Sequence, residues 1–172
     1  RMDIRKVLIL SAEFALSNCA KDEANVNLER PVEDIYNYAM DLLLDKDYQM
    51  ASLTFEEVER QHPYSMWSTK SQLMAAYAHY LDNSYDDAVI AAERFISLHP
   101  GHADTAYAYY LLGLCYYEQI SDVGRDQKMT TKALEAFIAV VKRYPTSEYA
   151  RDANMKIDLA RDHLAGKEME IG

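Results

Sequence analysis

Tyr109-x2-Leu112-Gly113-x2-Tyr116 is the stretch of sequence that decides the fold of this 172-residue chain. It continues into a second half, Ala133-x3-Phe137 followed by Pro145, and this half recurs twice upstream. The earlier copies are Tyr48-x2-Ala51…Pro63 and Tyr85-x2-Ala88…Pro100, with the same spacing from alanine to proline. A threefold recurrence at fixed spacing indicates repeated structural units that stack on one another.

The pattern is that of a tetratricopeptide repeat, with tyrosine in the place of the usual tryptophan and a short insertion between its halves. It predicts an all-α right-handed superhelix made of three helical hairpins and a closing helix. The repeats fall at about 31–63, 64–100 and 101–145, with a partial unit at 146–172. Helices are predicted at 31–45, 48–61, 66–82, 85–98, 103–119, 129–143 and 147–164, with turns at 45–47 and 82–84.

Small residues recur where the two helices of a hairpin would cross. They are Ala39, Ala76 and Gly113 in the first helices, and Ala51, Ala88 and Ala133 in the second helices. The positions that follow are expected to fill the space between neighbouring hairpins; they hold Phe55, Ala92 and Phe137, then Val58, Phe95 and Val140. A single hairpin cannot bury its apolar face alone, so stability is expected to be cooperative between neighbours.

The composition narrows the class of function. Only 5 Gly and 4 Pro agree with an all-α chain. A formal net charge of −10 repels a phosphate backbone, and no basic stripe offsets it, so nucleic acid is excluded as a partner. No phosphate-binding loop, nucleophile elbow or metal-ligand spacing occurs, so the chain is predicted to be non-catalytic, with no cofactor and no metal.

The remaining reactive side chains are predicted to be structural. His62 and His99 each precede a repeat-closing proline, where a cation would complement the end of a helix. The acidic residues of 56–59 are expected to form a solvated helix face. Cys115 is expected to be a buried, inert thiol.

The N-terminal residues 1–19 have the layout of an export signal, with basic residues, an apolar stretch and then small residues before a cysteine. Leu16-Ser17-Asn18-Cys19 is close to a bacterial lipoprotein box and predicts Cys19 as the site of a lipid anchor. The asparagine of this box and Glu13 depart from the usual pattern. The alternative is an ordinary short helix that carries a buried thiol. Residues 20–30 are polar and without periodicity, and they are predicted to form a tether.

The first helices of such an array line its concave side, and in this chain they are rich in tyrosine. The predicted peptide-binding groove consists of Tyr36, Met40, Leu73, Tyr77, Tyr80, Tyr107, Tyr110 and Tyr117. It lacks the lysines and asparagines with which tetratricopeptide proteins clamp a terminal carboxylate, and only Lys70 lies near its edge. An apolar or aromatic peptide is therefore expected, with tyrosine hydroxyls bound to its backbone. The alternative is that these aromatic residues pack in the core.

Five further stretches point to a known family. They are 88–100 (AVIAAERFISLHP), 104–110, 116–127 (YYEQISDVGRDQ), Arg143-Tyr144-Pro145-x-Ser147-x-Tyr149-Ala150-x-Asp152-Ala153 and 161–168. Together they resemble the BamD family, also called ComL, of outer-membrane protein assembly lipoproteins, in its α-proteobacterial form. The resemblance covers residues 31–172.

The resemblance implies a periplasmic lipoprotein at the outer membrane, anchored through Cys19, with a role in the assembly of β-barrel proteins. It also implies contact with the barrel-forming subunit BamA and other lipoproteins of the complex, and binding of unfolded outer-membrane proteins in the N-terminal groove. Family members have about five repeats. The resemblance also implies C-terminal repeats that carry much of the contact with BamA, and the chain is expected to be C-terminally short of them.

Two alternatives stay open. The first is another periplasmic tetratricopeptide scaffold, which coordinates the envelope or cell division. The second is the helical superstructure of a cell-wall enzyme.

Overall fold

The computed structural model describes residues 30–120 and 127–171, with side chains as far as Gly166. Within these ranges the chain is helical throughout and contains no strand. Its helices are α1 (Val32–Leu44), α2 (Tyr48–Gln61), α3 (Met66–Leu81), α4 (Tyr85–Leu98), α5 (Thr105–Glu118), α6 (Gln127–Arg143) and α7 (Tyr149–Ile171). The prediction of an all-α tetratricopeptide superhelix is confirmed. The main difference is at the end of α7, which runs to Ile171 and not to 164.

The helices pack in two rows. Each helix contacts the next one along the chain, and the first helices of successive hairpins also contact each other, α1 with α3, α3 with α5, and α5 with α7. Among the described residues, the backbones of the second helices α2, α4 and α6 do not approach one another in this way, and α2 and α4 are linked through the side chains of Glu59 and Arg94. The first helices therefore form a continuous row, whereas the second helices stand apart and leave grooves between them.

The turns within the first two hairpins each hold one residue in the left-handed region. Lys46 has a φ of 65° and Asn83 a φ of 60°. Asparagine adopts this conformation at lower cost than lysine. Asp47 then caps α2, since its side chain accepts a hydrogen bond from the amide of Met50 at 3.3 Å. Both predicted turns are confirmed.

The recurring small residues lie where the helices cross, as predicted. The alanines of this set, Ala39, Ala51, Ala76, Ala88 and Ala133, are all 0% exposed. Gly113 is also buried, and a β-carbon built on it would lie only 2.6 Å from Cε1 of Phe137. The approach of α5 to α6 therefore requires a residue without a side chain.

The residues predicted to fill the space between hairpins form the core. Phe55, Val58, Ala92, Phe95, Phe137 and Val140 are all 0% exposed. They belong to clusters that draw on neighbouring hairpins, so burial depends on stacking. This arrangement accounts for the cooperative stability that the repeat pattern predicts.

Some predictions concern residues outside the described part of the chain. They are the export signal of 1–19, the anchor Cys19, and the tether of 20–30 except for Arg30. The insertion of the third repeat falls largely on 121–126, which is also outside. Within the described ranges, no helix combines the length and the apolar character needed to cross a membrane.

Candidate peptide-binding surface

Five of the eight predicted site residues lie on two adjacent first helices and are partly exposed. They are Tyr77 and Tyr80 of α3, and Tyr107, Tyr110 and Tyr117 of α5. The structure brings Tyr149, at the start of α7, next to them. We call these six residues the tyrosine surface. Sequence reasoning did not include Tyr149 because the fourth unit was treated as a closing helix.

Ring contacts connect the tyrosine surface across three helices. The ring centroids of Tyr77 and Tyr107 lie 6.5 Å apart, and those of Tyr107 and Tyr149 lie 5.2 Å apart. Tyr110 stacks on Tyr149, with 5.3 Å between centroids and 25° between planes. Pairs of this kind stabilise by about 0.5–1.5 kcal/mol beyond the area they bury. These four rings are therefore held in place by their mutual contacts, whereas Tyr80 contacts Tyr85 and Tyr117 contacts Phe137.

One end of the tyrosine surface carries charge. The hydroxyl of Tyr110 donates a hydrogen bond to the carboxylate of Asp152 on α7. Nζ of Lys156 lies 3.7 Å from an oxygen of Asp152 and 5.2 Å from the ring centroid of Tyr117. A cation beside an aromatic face and a carboxylate is stabilised by both. The apolar surface thus ends at a polar pair.

Four residues of the tyrosine surface keep their hydroxyls protonated at neutral pH; they are Tyr80, Tyr107, Tyr110 and Tyr149. Burial raises the pKa of Tyr80 to about 12. Burial, followed by the hydrogen bond with Glu148, raises the pKa of Tyr149 to about 12. Burial also raises the pKa of Tyr107 and of Tyr110, and in Tyr110 the hydrogen bond to Asp152 adds to it. These four hydroxyls are consequently uncharged and able to donate hydrogen bonds.

The other three predicted residues lie apart from this surface. Tyr36 is only 6% exposed, and its ring lies 5.6 Å from Phe55 and 4.8 Å from Trp67. Leu73 is 7% exposed and belongs to the core. Met40 is partly buried against the cluster that holds Tyr36. For Tyr36 and Leu73 the structure shows the core packing that the sequence left open as the alternative.

Lys70 has aromatic neighbours and no carboxylate partner among the described residues. Its Nζ lies 5.3 Å from the ring centroid of Tyr36 and 5.7 Å from that of Trp67. These are cation–π contacts. They keep a positive charge at the α1 end of the row of first helices.

The acidic residues of 56–59 are partly exposed, with 44% of the Glu56 side chain and 24% of the Glu59 side chain accessible, and they are also bonded to other side chains. Glu59 accepts hydrogen bonds from Arg94 on the next hairpin, at 2.7 Å, and from Gln72, at 3.0 Å. Glu56 lies 3.1 Å from the imidazole of His79. The partners of Glu56 and Glu59 lie 13 to 35 residues away, and such partners cannot be identified from a helical period.

His99 has a structural role, but not as a cation. Its Nε2 donates to the side-chain oxygen of Gln72 at 2.9 Å, and its ring lies 5.1 Å from that of Phe95. Burial lowers the pKa of His99, so the ring is neutral at pH 7. Cys115 is 0% exposed, and burial raises its pKa to about 12, which confirms the prediction of a buried, inert thiol.

Comparison with known proteins gives consistent matches over almost the whole chain. The family model YfiO, described as an outer membrane lipoprotein, matches residues 28–172. The outer membrane protein assembly factor BamD of Caulobacter vibrioides is 50% identical over 169 residues, which are 98% of this chain and 55% of that protein. BamD of Rickettsia prowazekii is 39% identical over 173 residues, or 99% of this chain and 69% of that protein. The chain thus spans little more than half of the Caulobacter relative.

Solved structures give a match of fold. MamA of Desulfovibrio magneticus RS-1, from residue 41 to its end, superimposes with a TM-score of 0.56 at 22% identity. The match covers 81% of this chain and 75% of that one. At this level of identity the likeness extends to the helical architecture alone.

Proposed function

Since this chain belongs to the BamD (YfiO) family of outer membrane lipoproteins, in its α-proteobacterial form, we propose that its repeats bind unfolded segments of outer-membrane proteins during their assembly. The binding site we assign is the tyrosine surface on α3, α5 and α7. The chain acts by recognition and not by catalysis, and it needs no cofactor. The names of its relatives favour this role over the two alternatives, an unrelated envelope scaffold and a cell-wall enzyme.

The chemistry of the tyrosine surface supports the proposal. Unfolded segments of barrel proteins expose alternating apolar side chains and unpaired backbone groups. Partly exposed rings offer apolar area, while protonated hydroxyls donate to backbone carbonyl oxygens. A surface that combines both suits an extended, aromatic-rich peptide without depending on its detailed sequence.

We further propose that the chain works at the periplasmic face of the outer membrane, held there by a lipid on Cys19. Its partners in the assembly complex are BamA and the other lipoproteins, as the family resemblance implies. We propose these partners for the whole protein, and this chain matches 55% of the Caulobacter relative and 69% of the Rickettsia relative.

The experiment is binding of a fluorescent peptide that ends in an aromatic outer-membrane signal, followed by anisotropy. The test variant is Tyr77→Ala/Tyr110→Ala, which removes two rings of the tyrosine surface. The matched control is Tyr38→Ala/Tyr64→Ala, which removes two exposed tyrosines elsewhere, at 48% and 102% exposure.

We expect saturable binding by the wild type and the control, and at least about tenfold weaker binding by the test variant. Far-UV circular dichroism must show that the test variant is still helical. Equal binding by test and control variants would remove the tyrosine surface from the proposal. Failure of all three proteins to bind would contradict the receptor function itself.

A further inference from the structure

A groove lies away from the tyrosine surface, between the second helices α2 and α4. Helix α3 forms its floor, and its volume is about 750 Å³. Leu53 and Ile90 line it from opposite walls, at 49% and 64% exposure. We call it the α2–α4 groove. Such exposed aliphatic residues on both walls of one groove are typical of a binding site.

The next junction of the array has an equivalent groove, between α4 and α6 above α5, but its volume is only about 270 Å³. When the two repeats are aligned, the difference in volume is explained by larger residues at equivalent positions of the second groove. Leu112 stands where the first groove has Ala75, and Tyr109 where it has Gln72. The chain fills the α4–α6 groove with its own side chains and leaves the α2–α4 groove open.

Both grooves contain, at equivalent positions, a polar contact between a side chain of the first helix and a carboxylate of the preceding second helix. In the open groove, the imidazole of His79 lies 3.1 Å from the carboxylate of Glu56. In the filled groove, the hydroxyl of Tyr116 donates to Glu93 at 3.4 Å. A carboxylate from the preceding second helix thus lines each groove, and in the filled one it has an aromatic ring beside it.

The two grooves also differ in their charged side chains, and the difference indicates that the open groove lacks a cation at one equivalent position. In the filled groove, Nζ of Lys132 lies 5.2 Å from the ring centroid of Tyr116. In the open groove the corresponding residue is Asp87, which forms no ion pair within the described residues. A cation and a ring therefore complete the filled groove, whereas the open groove has an additional carboxylate.

The two arginines that line the open groove do not neutralise it. Arg60 is paired with Glu57 on its own helix, and Arg94 is hydrogen-bonded to Glu59. Asp87 is left without an ion pair within the described residues, and Glu56 is bonded to the imidazole of His79 and feels the charge of Arg94. A partner that brings a positive charge would meet complementary charge here.

We propose that the α2–α4 groove binds a segment of another protein that presents a lysine or arginine next to an aromatic side chain. The segment supplies from outside the cation and the ring that Lys132 and Tyr116 supply from within at the next junction. The cation lies between Glu56 and Asp87, and the ring lies over Ala75, between the aliphatic walls. This inference is independent of the peptide site on the tyrosine surface.

The probe is a short, fluorescein-labelled, alanine-based helical peptide with Lys and Tyr four residues apart, so that both lie on one face. Its matched peptides carry Glu in place of Lys, or Ala in place of Tyr. The protein variants are Asp87→Lys, which introduces a cation within the groove, and Ala75→Leu/His79→Tyr, which copies the filled groove. The control is Asp86→Lys, which makes the same charge change on the neighbouring residue, outside the lining of this groove.

We expect saturable anisotropy with the Lys–Tyr peptide, and binding at least about tenfold weaker for either matched peptide and either groove variant. Asp86→Lys should stay within about twofold of the wild type, because long-range charge alone contributes little at physiological salt. Amide NMR shifts on adding the peptide should map to α2 and α4. If the filled variant fails to fold, Asp87→Lys, a change on an exposed helix face, still decides the question.

Three outcomes would overturn the inference. The first is the absence of saturable binding by the wild type up to about 1 mM peptide. The second is equal weakening by Asp87→Lys and Asp86→Lys, which would indicate non-specific attraction to an acidic chain. The third is a shift pattern confined to the tyrosine surface, which would support the proposed function while removing the α2–α4 groove as a site.

Discussion

The ring of Phe137 packs directly on the α-carbon of Gly113, so that an added β-carbon would lie 2.6, 2.7 and 3.0 Å from three atoms of that ring. The corresponding pair in the second repeat is Ala76 with Ala92, both 0% exposed. The third repeat thus pairs a glycine with a phenylalanine, whereas the second repeat pairs two alanines. The space between α5 and α6 therefore leaves no room for a side chain at Gly113 as long as the ring of Phe137 stays in place.

Gly113→Ala is expected to destabilise the protein, although alanine is the better helix former. Overpacking a core typically costs about 1–3 kcal/mol, and the gain in helix propensity is at most about 1 kcal/mol. The measurement is urea unfolding followed by far-UV circular dichroism. Gly101→Ala is the control, since nothing lies within 4 Å of a β-carbon there. Equal midpoints for the two variants would show that the Phe137 ring moves aside freely.

Tyr110→Phe should lower the free energy of unfolding by about 1–2 kcal/mol, because it removes a hydrogen bond to a carboxylate and keeps the ring. Asp152 would lose a donor, while the stacking on Tyr149 would persist. Tyr117→Phe is the matched control, since the hydroxyl of Tyr117 has no hydrogen bond within the described residues. A loss of stability as large in the control would mean that the bond to Asp152 contributes nothing particular.

Acid is expected to weaken the junction between the first and second hairpins. Burial lowers the pKa of His99, with His102 and Arg94 adding to that effect and Glu59 opposing it. Hydrogen bonding to Arg94 lowers the pKa of Glu59 itself. Both folded values lie below the unfolded ones, so each group stabilises the fold above its unfolded pKa and loses that contribution as pH falls. The loss begins below the ordinary value of 6.5 for His99 and below 4.5 for Glu59.

The check on this pH dependence is the thermal midpoint between pH 7 and pH 5, where His99 loses its contribution and Glu59 keeps its own. His99→Gln should flatten the dependence, since glutamine can still donate to Gln72 but does not titrate in this range. His163→Gln controls for the loss of a histidine on α7. A slope in His99→Gln equal to that of the wild type would assign the acid sensitivity to other groups.

Cys115 should be protected from thiol reagents as long as the fold is intact. Its burial and its raised pKa both suppress the thiolate that reacts. In a Cys19→Ser background, labelling at pH 8 should be more than about a hundredfold slower in native buffer than in guanidinium chloride. A cysteine introduced at the exposed Ser97 provides the accessible control. Rapid native labelling of Cys115 would indicate that α5 opens often.

Helix bounds and core positions were predictable because they depend on local signals. Prolines, turn residues and the recurring alanines mark where helices end and cross, and these signals act within a few residues. The extension of α7 to Ile171 was not predicted, because Gly166 is a residue type that commonly ends a helix, whereas α7 continues through it.

The candidate site was predictable only in part. Helix α5 is apolar on nearly every side, with eight of its fourteen residues buried, so its period does not select one face. Burial of Tyr36 comes from Trp67 on α3, and Tyr149 reaches the tyrosine surface from the fourth unit. The ion pair between Glu59 and Arg94 joins residues 35 positions apart. Each of these depends on how helices stack, which no single helix encodes.

The ion pair between Glu59 and Arg94 has a mechanical consequence, because it links α2 directly to α4. Elsewhere the first two hairpins are joined where α3 packs on α2 and on α1. At the α4–α6 junction, the side chains of Tyr109, Leu112 and Tyr116 fill the corresponding space. The α2–α4 junction is not filled in this way, so the ion pair is the link that spans the open groove. Whatever occupies that groove therefore lies against the link that helps to set the angle between the first two hairpins.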